Sequence, residues 1–134
     1  MCKTFTPEEP AFAGRLPAFR HGLYYNQYQM KLVFMGTPRA AVASLAKLME
    51  SHHDVVAVYT QPDRPAGRGN KMHASPVKEY AITHGLPVFQ PEKIRTEEAL
   101  AEFRSHSACI AVVVAYGRIL PKSWLTAFEL GAIN

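Results

Sequence analysis

The run Cys109-Ile110-Ala111-Val112-Val113-Val114-Ala115 is apolar at every position and rich in β-branched residues. A strand with one wet face alternates apolar and polar side chains, whereas an unbroken apolar run suits a central strand covered on both faces, as in the parallel sheet of an α/β domain. Parallel neighbours cannot be joined by hairpins and need crossover segments, usually helical. The rest of the chain meets that demand. Lys31 to Met35 is a second apolar run, closed by the turn Gly36-Thr37-Pro38. Asp54 to Thr60 is a third, Leu86 to Phe89 a short fourth, and Leu130 to Asn134 reads as the beginning of a fifth. Between them, Ala41, Val42, Leu45, Leu48 and Met49 recur at helical spacing over Arg39 to Glu50, with Thr37 available as N-cap and Pro38 as first helical residue. A second helix starts at Ser75-Pro76 and runs to Gly85. A third, Thr96 to Ser105, carries Glu97 and Glu98 in its first turn and Arg104 in its last, as the helix dipole prefers. Lys122 to Phe128 is a short fourth. The expected architecture is a doubly wound parallel sheet with right-handed crossovers, cut off after the start of its fifth strand.

In such sheets ligands bind outside the carboxyl ends of the strands. Three connections fall there: Gly36 to Pro38, Gln61 to Lys71, and Tyr116 to Pro121, with Asn134 near the same edge. The second is polar, rich in Pro and Gly, and long for a βα connection, so it reads as an exposed loop. It brings Arg64, Arg68 and Lys71 within eight residues, opposed only by Asp63. That pattern suits a phosphate backbone, and equally a solvated loop kept soluble by its charge. The third connection is either a glycine turn with an apolar anchor or the rim of a pocket for a flat ligand.

Several functions are disfavoured. The first turn has only Gly36 where a dinucleotide fingerprint needs three glycines, Gly67 and Gly69 lie in a different loop, and no phosphate-loop pattern occurs. The six histidines are scattered without metal spacing, so no metal site is expected. Cys109 reads as a small core residue, and two cysteines 107 positions apart point to a reducing compartment, the cytoplasm. No apolar run approaches the roughly 18–20 residues of a membrane span. A chain of 134 residues with a formal charge of +4 has room for one domain and a mild preference for polyanions. Residues 1 to 29, with three prolines and no periodicity, read as an unstructured extension before domain structure begins at Met30.

Four runs taken together resemble the N-terminal part of the methionyl-tRNA formyltransferase family: Val33-Phe34-Met35-Gly36-Thr37-Pro38, Thr60 to Gly69, Ser75-Pro76-Val77-Lys78, and Val113 to Lys122. The resemblance covers Met30 to Asn134. It implies a Rossmann-like formyltransferase domain whose remainder, and a C-terminal tRNA-binding barrel, are absent from this chain. Arg39, Ala40 and Ala43 depart from the family's usual acidic residue, Phe and Pro in that region.

The implied reaction moves a formyl group from 10-formyltetrahydrofolate to the amino group of methionine esterified to initiator tRNA, by a protein monomeric at full length. Amine attack on a formyl carbonyl places charge on its oxygen, so a positioned donor and a proton-handling group are required. In the family an Asn, a His and an Asp serve. Gly131-Ala132-Ile133-Asn134 matches the family's Gly-x-Ile-Asn-x-His up to the Asn, which makes Asn134 the implied oxyanion donor and leaves His and Asp beyond the chain. The resemblance further implies that Arg64, Arg68 and Lys71 contact the tRNA acceptor end. The turn Tyr116, Gly117, Arg118, Ile119, Leu120 and Pro121 would hold the folate, with Arg118 able to meet its carboxylates, and Gly36, Thr37 and Pro38 would border the substrate. On this basis the 134-residue chain alone is expected to be inactive. A sister enzyme acting on a sugar-nucleotide amine or glycinamide ribotide, and a non-catalytic tRNA- or nucleotide-binding module, are the alternatives.

Overall fold

The computed structural model describes residues 29–134. The expected extension, residues 1 to 29, therefore lies almost wholly outside the described residues. From Lys31 the chain runs β1 (Lys31–Gly36), α1 (Arg39–Glu50), β2 (Asp54–Tyr59), β3 (Arg64–Ala66), β4 (Lys71–His73), α2 (Pro76–Thr83), β5 (Val88–Phe89), α3 (Glu97–Ser105), β6 (Ile110–Val114), α4 (Lys122–Leu125) and β7 (Ala132–Ile133). Five strands form one parallel sheet in the order β5-β2-β1-β6-β7, which is the expected Rossmann-like α/β architecture.

The most buried strand is β1, the centre of the sheet, rather than β6. Leu32 to Gly36 are all buried, and successive side chains feed opposite faces. Phe34 packs with Ala41, Leu45, Val58, Val77 and Ala81 under α1 and α2. Val33 and Met35 pack with Tyr59, Phe103, Trp124 and Phe128 under α3 and α4. Full burial of such side chains contributes roughly 1.5–3 kcal/mol each. In β6 burial alternates instead: Ala111 and Val113 are buried, whereas Val112 and Val114 border an open groove beside Ala43, Ser44, Lys47 and Leu48 of α1. The expectation of a central strand covered on both faces is thus corrected. The reason is that α1 lies over β1 and β2 and only reaches the margin of β6.

Three local expectations also change. The fourth helix ends at Leu125, not Phe128, whose ring is drawn into the core against Phe103. Thr37 does not cap α1: Pro38 is the N-cap, in extended conformation and without a side-chain hydrogen bond, and the helix starts at Arg39. The stretch from Gln61 is not a plain loop, because β3 and β4 form an antiparallel hairpin pairing Arg64 with His73, Pro65 with Met72 and Ala66 with Lys71. Its turn uses positive φ at Gly67, Gly69 and Asn70. The other two long helices begin as expected. Ser75 Oγ accepts from Lys78 N, and Thr96 Oγ1 accepts from Ala99 N.

Candidate functional site

Strand order reverses between β1 and β6: from β1 the chain winds one way to β2 and β5, and from β6 it winds the other way to β7. The carboxyl ends of β1 and β6 therefore frame the topological switch point, where loops diverge and leave a crevice. A cavity of about 420 Å³ lies there. Thr37 and Pro38 line it from β1, Gln61 and Pro62 from β2, Arg64, Ala66 and His73 from the hairpin, Ser75 and Pro76 from the start of α2, and Ala115, Tyr116 and Gly117 from β6.

A buried polar node builds its floor. The Thr37 hydroxyl donates to the Tyr116 carbonyl at 2.8 Å and accepts from Gln61 N at 3.3 Å. Gln61 Nε2 donates to the same carbonyl at 3.0 Å. Three strand ends, distant in sequence, are tied at one oxygen. Gln61 is only 4% exposed, and its Oε1 is buried with no hydrogen-bond partner among the described residues. Behind it, Thr60 Oγ1 and Ser75 Oγ share a buried hydrogen bond of 2.5 Å, which ties β2 to the cap of α2.

Two glycines are required by this geometry. A Cβ on Gly36 would lie 2.8 Å from the Val114 carbonyl and 2.9 Å from both Ala41 Cβ and Phe34 Cε1. Gly36 is thus the residue that lets α1 and β6 close on β1. Gly117 adopts φ +90°, and a Cβ there would stand 3.2 Å from Gln61 Nε2. Ala115 adopts φ 49°, a left-handed conformation that costs an L-residue energy and ends β6 abruptly at the cavity.

Above the node the hairpin is exposed on every residue of both strands. Its base is held by Asp63, whose Oδ2 accepts from Lys78 Nζ at 2.7 Å and whose Oδ1 accepts from Gln90 Nε2 at 2.7 Å. These two hydrogen bonds keep the Asp63 carboxyl below its usual range. With Asp63 engaged by Lys78, none of Arg64, Arg68 and Lys71 is ion-paired with a described residue.

Of the residues singled out in the sequence, Thr37, Pro38, Arg64, Tyr116 and Gly117 meet at the cavity. Arg68 and Lys71 stand on the hairpin beyond its lining. Tyr116 contributes its backbone: the side chain is 1% exposed within the core, and burial pushes its phenol up. Arg118 Nη1 donates to the carbonyls of Pro91 at 3.1 Å and Glu92 at 2.6 Å. Ile119 is 87% exposed, Leu120 packs against the core, and Pro121 is the N-cap of α4. Asn134 is exposed and follows directly on β7, whose Ile133 pairs with Val112, at the carboxyl edge of the sheet. Gln61, His73 and Gln90 are the residues that sequence reasoning passed over. No local pattern marks them: Gln61 and Gln90 acquire their places from partners 24 or more residues away, and His73 from its pairing with Arg64 across the hairpin. Among the described residues no group of three or more His, Cys, Asp or Glu side chains could hold a metal, and no helix is long and apolar enough to cross a membrane.

The family model described as "Formyl transferase" matches residues 30–134. A methionyl-tRNA formyltransferase of Pseudoalteromonas translucida (strain TAC 125) is 53% identical over 105 residues, which cover 78% of this chain and 33% of the relative. The chain thus spans about a third of the length of that curated relative. Among solved structures, a phosphoribosylglycinamide formyltransferase from Anaplasma phagocytophilum matches with a TM-score of 0.55 at 16% identity, over 78% of this chain and 48% of the other. A glycinamide ribonucleotide transformylase 1 from Geobacillus kaustophilus matches with a TM-score of 0.53 at 20% identity, over 78% and 56%. At such identities the structural likeness shows the fold.

Proposed function

The chain belongs to the formyl transferase family, and from that membership we propose that residues 30–134 are the N-terminal part of the catalytic domain of a methionyl-tRNA formyltransferase. Such an enzyme carries a formyl group from 10-formyltetrahydrofolate to the amino group of methionine on initiator tRNA. The observation that carries the substrate choice is the hairpin. Three cations without a described ion-pair partner stand on an exposed arm at the mouth of the cavity, where a small amine would need none. The 53% identity to a relative bearing that name supports the same choice.

In this reading Arg64, Arg68 and Lys71 neutralise phosphates of the acceptor end, with affinity and salt dependence set by charge. The turn from Tyr116 to Pro121 holds the folate. Ile119 offers an exposed apolar side chain, Gly117 permits close backbone approach, and the Arg118 N–H groups not bonded to Pro91 and Glu92 are left for carboxylates. Asn134 supplies an amide N–H to the carbonyl oxygen as the amine attacks. In the family's Gly-x-Ile-Asn-x-His pattern, the His two positions after the Asn would handle the proton that the attacking amine loses. Its substrate places the work in the cytoplasm, where initiator tRNA is charged.

Titration of the chain with initiator tRNA at two salt concentrations, and separately with a folate analogue, tests the reading. Salt-sensitive tRNA binding together with folate binding is expected. Unchanged tRNA affinity after Arg64→Ala and Arg68→Ala would count against tRNA as substrate, and binding of tRNA without folate would favour a non-catalytic module.

A further inference from the structure

Between the hairpin and the Tyr116 turn lies a segment to which the functional reading assigns no role. Gln90-Pro91-Glu92 leaves β5 at the same edge of the sheet and is held from both sides. On one side, Gln90 Nε2 donates to Asp63 Oδ1 at 2.7 Å and to the Gln61 carbonyl at 3.1 Å. Asp63 immediately precedes β3, so these bonds grip the base of the hairpin. On the other side, Arg118 Nη1 donates to the carbonyls of Pro91 and Glu92. Three of the four bonds involve a charged group, the Asp63 carboxylate in one and the Arg118 guanidinium in two, a class roughly twice as strong as neutral hydrogen bonds. Pro91 fixes its own φ and restricts the residue before it, which makes the three-residue segment stiff. A displacement of the hairpin base therefore reaches Arg118 through a short, rigid path.

We propose that Gln90–Glu92 is a positioning bridge, gripped by Gln90 toward the hairpin and by Arg118 toward the Tyr116–Pro121 turn, which couples the order of the two loops. Any such coupling is reciprocal: what steadies the hairpin steadies the turn, and the converse. The tRNA and folate named for the two loops rest on the functional reading above. The mechanical coupling does not, and it is measurable without either ligand.

Amide hydrogen exchange on the 134-residue chain tests it, since local opening is resolved segment by segment. Gln90→Leu removes two hydrogen bonds; exchange rises across the hairpin and also at Gly117 to Leu120, there by about fivefold, the equivalent of one net hydrogen bond. Amides of β1 and β2 hold as internal references. Arg118→Met keeps an unbranched stem but removes both donations that Nη1 makes to the Pro91 and Glu92 carbonyls, and produces the converse pattern, loosening the hairpin from the far side. Change confined to the side of the substitution would overturn the bridge, and so would an equal rise at every amide, which would mark Gln90 as merely structural. Should Gln90→Leu fail to fold, the Arg118→Met pattern decides alone. In the wild-type chain, tRNA that protects the hairpin also protects the turn. Protection stopping at the hairpin would overturn the bridge, whereas no protection anywhere counts against the tRNA reading, with the variants still deciding the coupling.

Discussion

The floor of the cavity and the hairpin above it lie within a few residues of each other and are built on opposite principles. At the floor, Thr37, Gln61 and Tyr116 are tied by three hydrogen bonds converging on one carbonyl and one hydroxyl, with Gln61 and Tyr116 almost inaccessible. On the hairpin all six strand residues are exposed, and the cations have no described ion-pair partner. The floor is held by buried polar bonds whose loss is expensive; the hairpin keeps its charges available because nothing in the fold consumes them. One region is specified for position and the other for charge.

Substitutions should therefore separate stability from affinity. The largest effect is expected on the hairpin. Under the proposed tRNA reading, replacing Arg64, Arg68 and Lys71 with Ala is expected to lower tRNA affinity on the order of a hundredfold at low salt and flatten the salt slope by about 2–3, while the melting temperature stays within a degree or two, because exposed charges contribute little to folding. A comparable loss of stability would break the comparison. Next comes Gly36→Ala at the floor, where contacts below 3 Å force strands or α1 apart. Overpacking of this kind costs about 1–3 kcal/mol, read as a shift of the urea midpoint without a change in salt slope. Thr37→Val keeps the shape but removes the hydroxyl that joins Tyr116 O to Gln61 N, and is expected to cost about 1–2 kcal/mol by the same measurement.

The smallest effect is one of pH at the boundary between the regions. Hydrogen bonds from Lys78 and Gln90 hold the Asp63 carboxyl below its ordinary value of about 3.8. The folded state favours the carboxylate, so its contribution is fully present above that value and is lost as pH falls through the lower, folded one. Urea midpoints measured from pH 5 downward should show a decline that Asp63→Asn removes. A variant that keeps the same acid sensitivity would place the effect elsewhere. His106 adds in the same direction: burial lowers its pKa below the usual 6.5, so stability falls as pH drops through that value toward the folded one.

What was legible in the chain follows from how local each signal is. The cap of α2 was readable because Ser75 bonds an amide three residues on, and the third helix, expected from Thr96, starts one residue later with Thr96 as its cap. The N-cap of α1 was not, because the Thr37 hydroxyl is claimed by a carbonyl 79 residues away. The hairpin went unread for a related reason. Arg64-Pro65-Ala66 has no strand propensity of its own, and its pairing depends on the turn at Gly67 to Asn70 and on the base held by Lys78 and Gln90. At the site, Arg64 and the Gly117 turn were visible as charge and as punctuation. Gln61 was not, since a glutamine after a strand looks the same whether it is solvated or closes a cavity.

Hydrophobic period, breakers and caps act over one to a few turns of chain, so the sequence by itself determined the alternation of strands and helices and hence the parallel sheet. The same locality limits it. Which strand lies at the centre, how far α1 covers β6, and which carbonyl receives Thr37 and Gln61 depend on contacts between segments tens of residues apart, where packing and polar satisfaction outweigh propensity. Only the tertiary structure could decide those, and with them the cavity at the switch point.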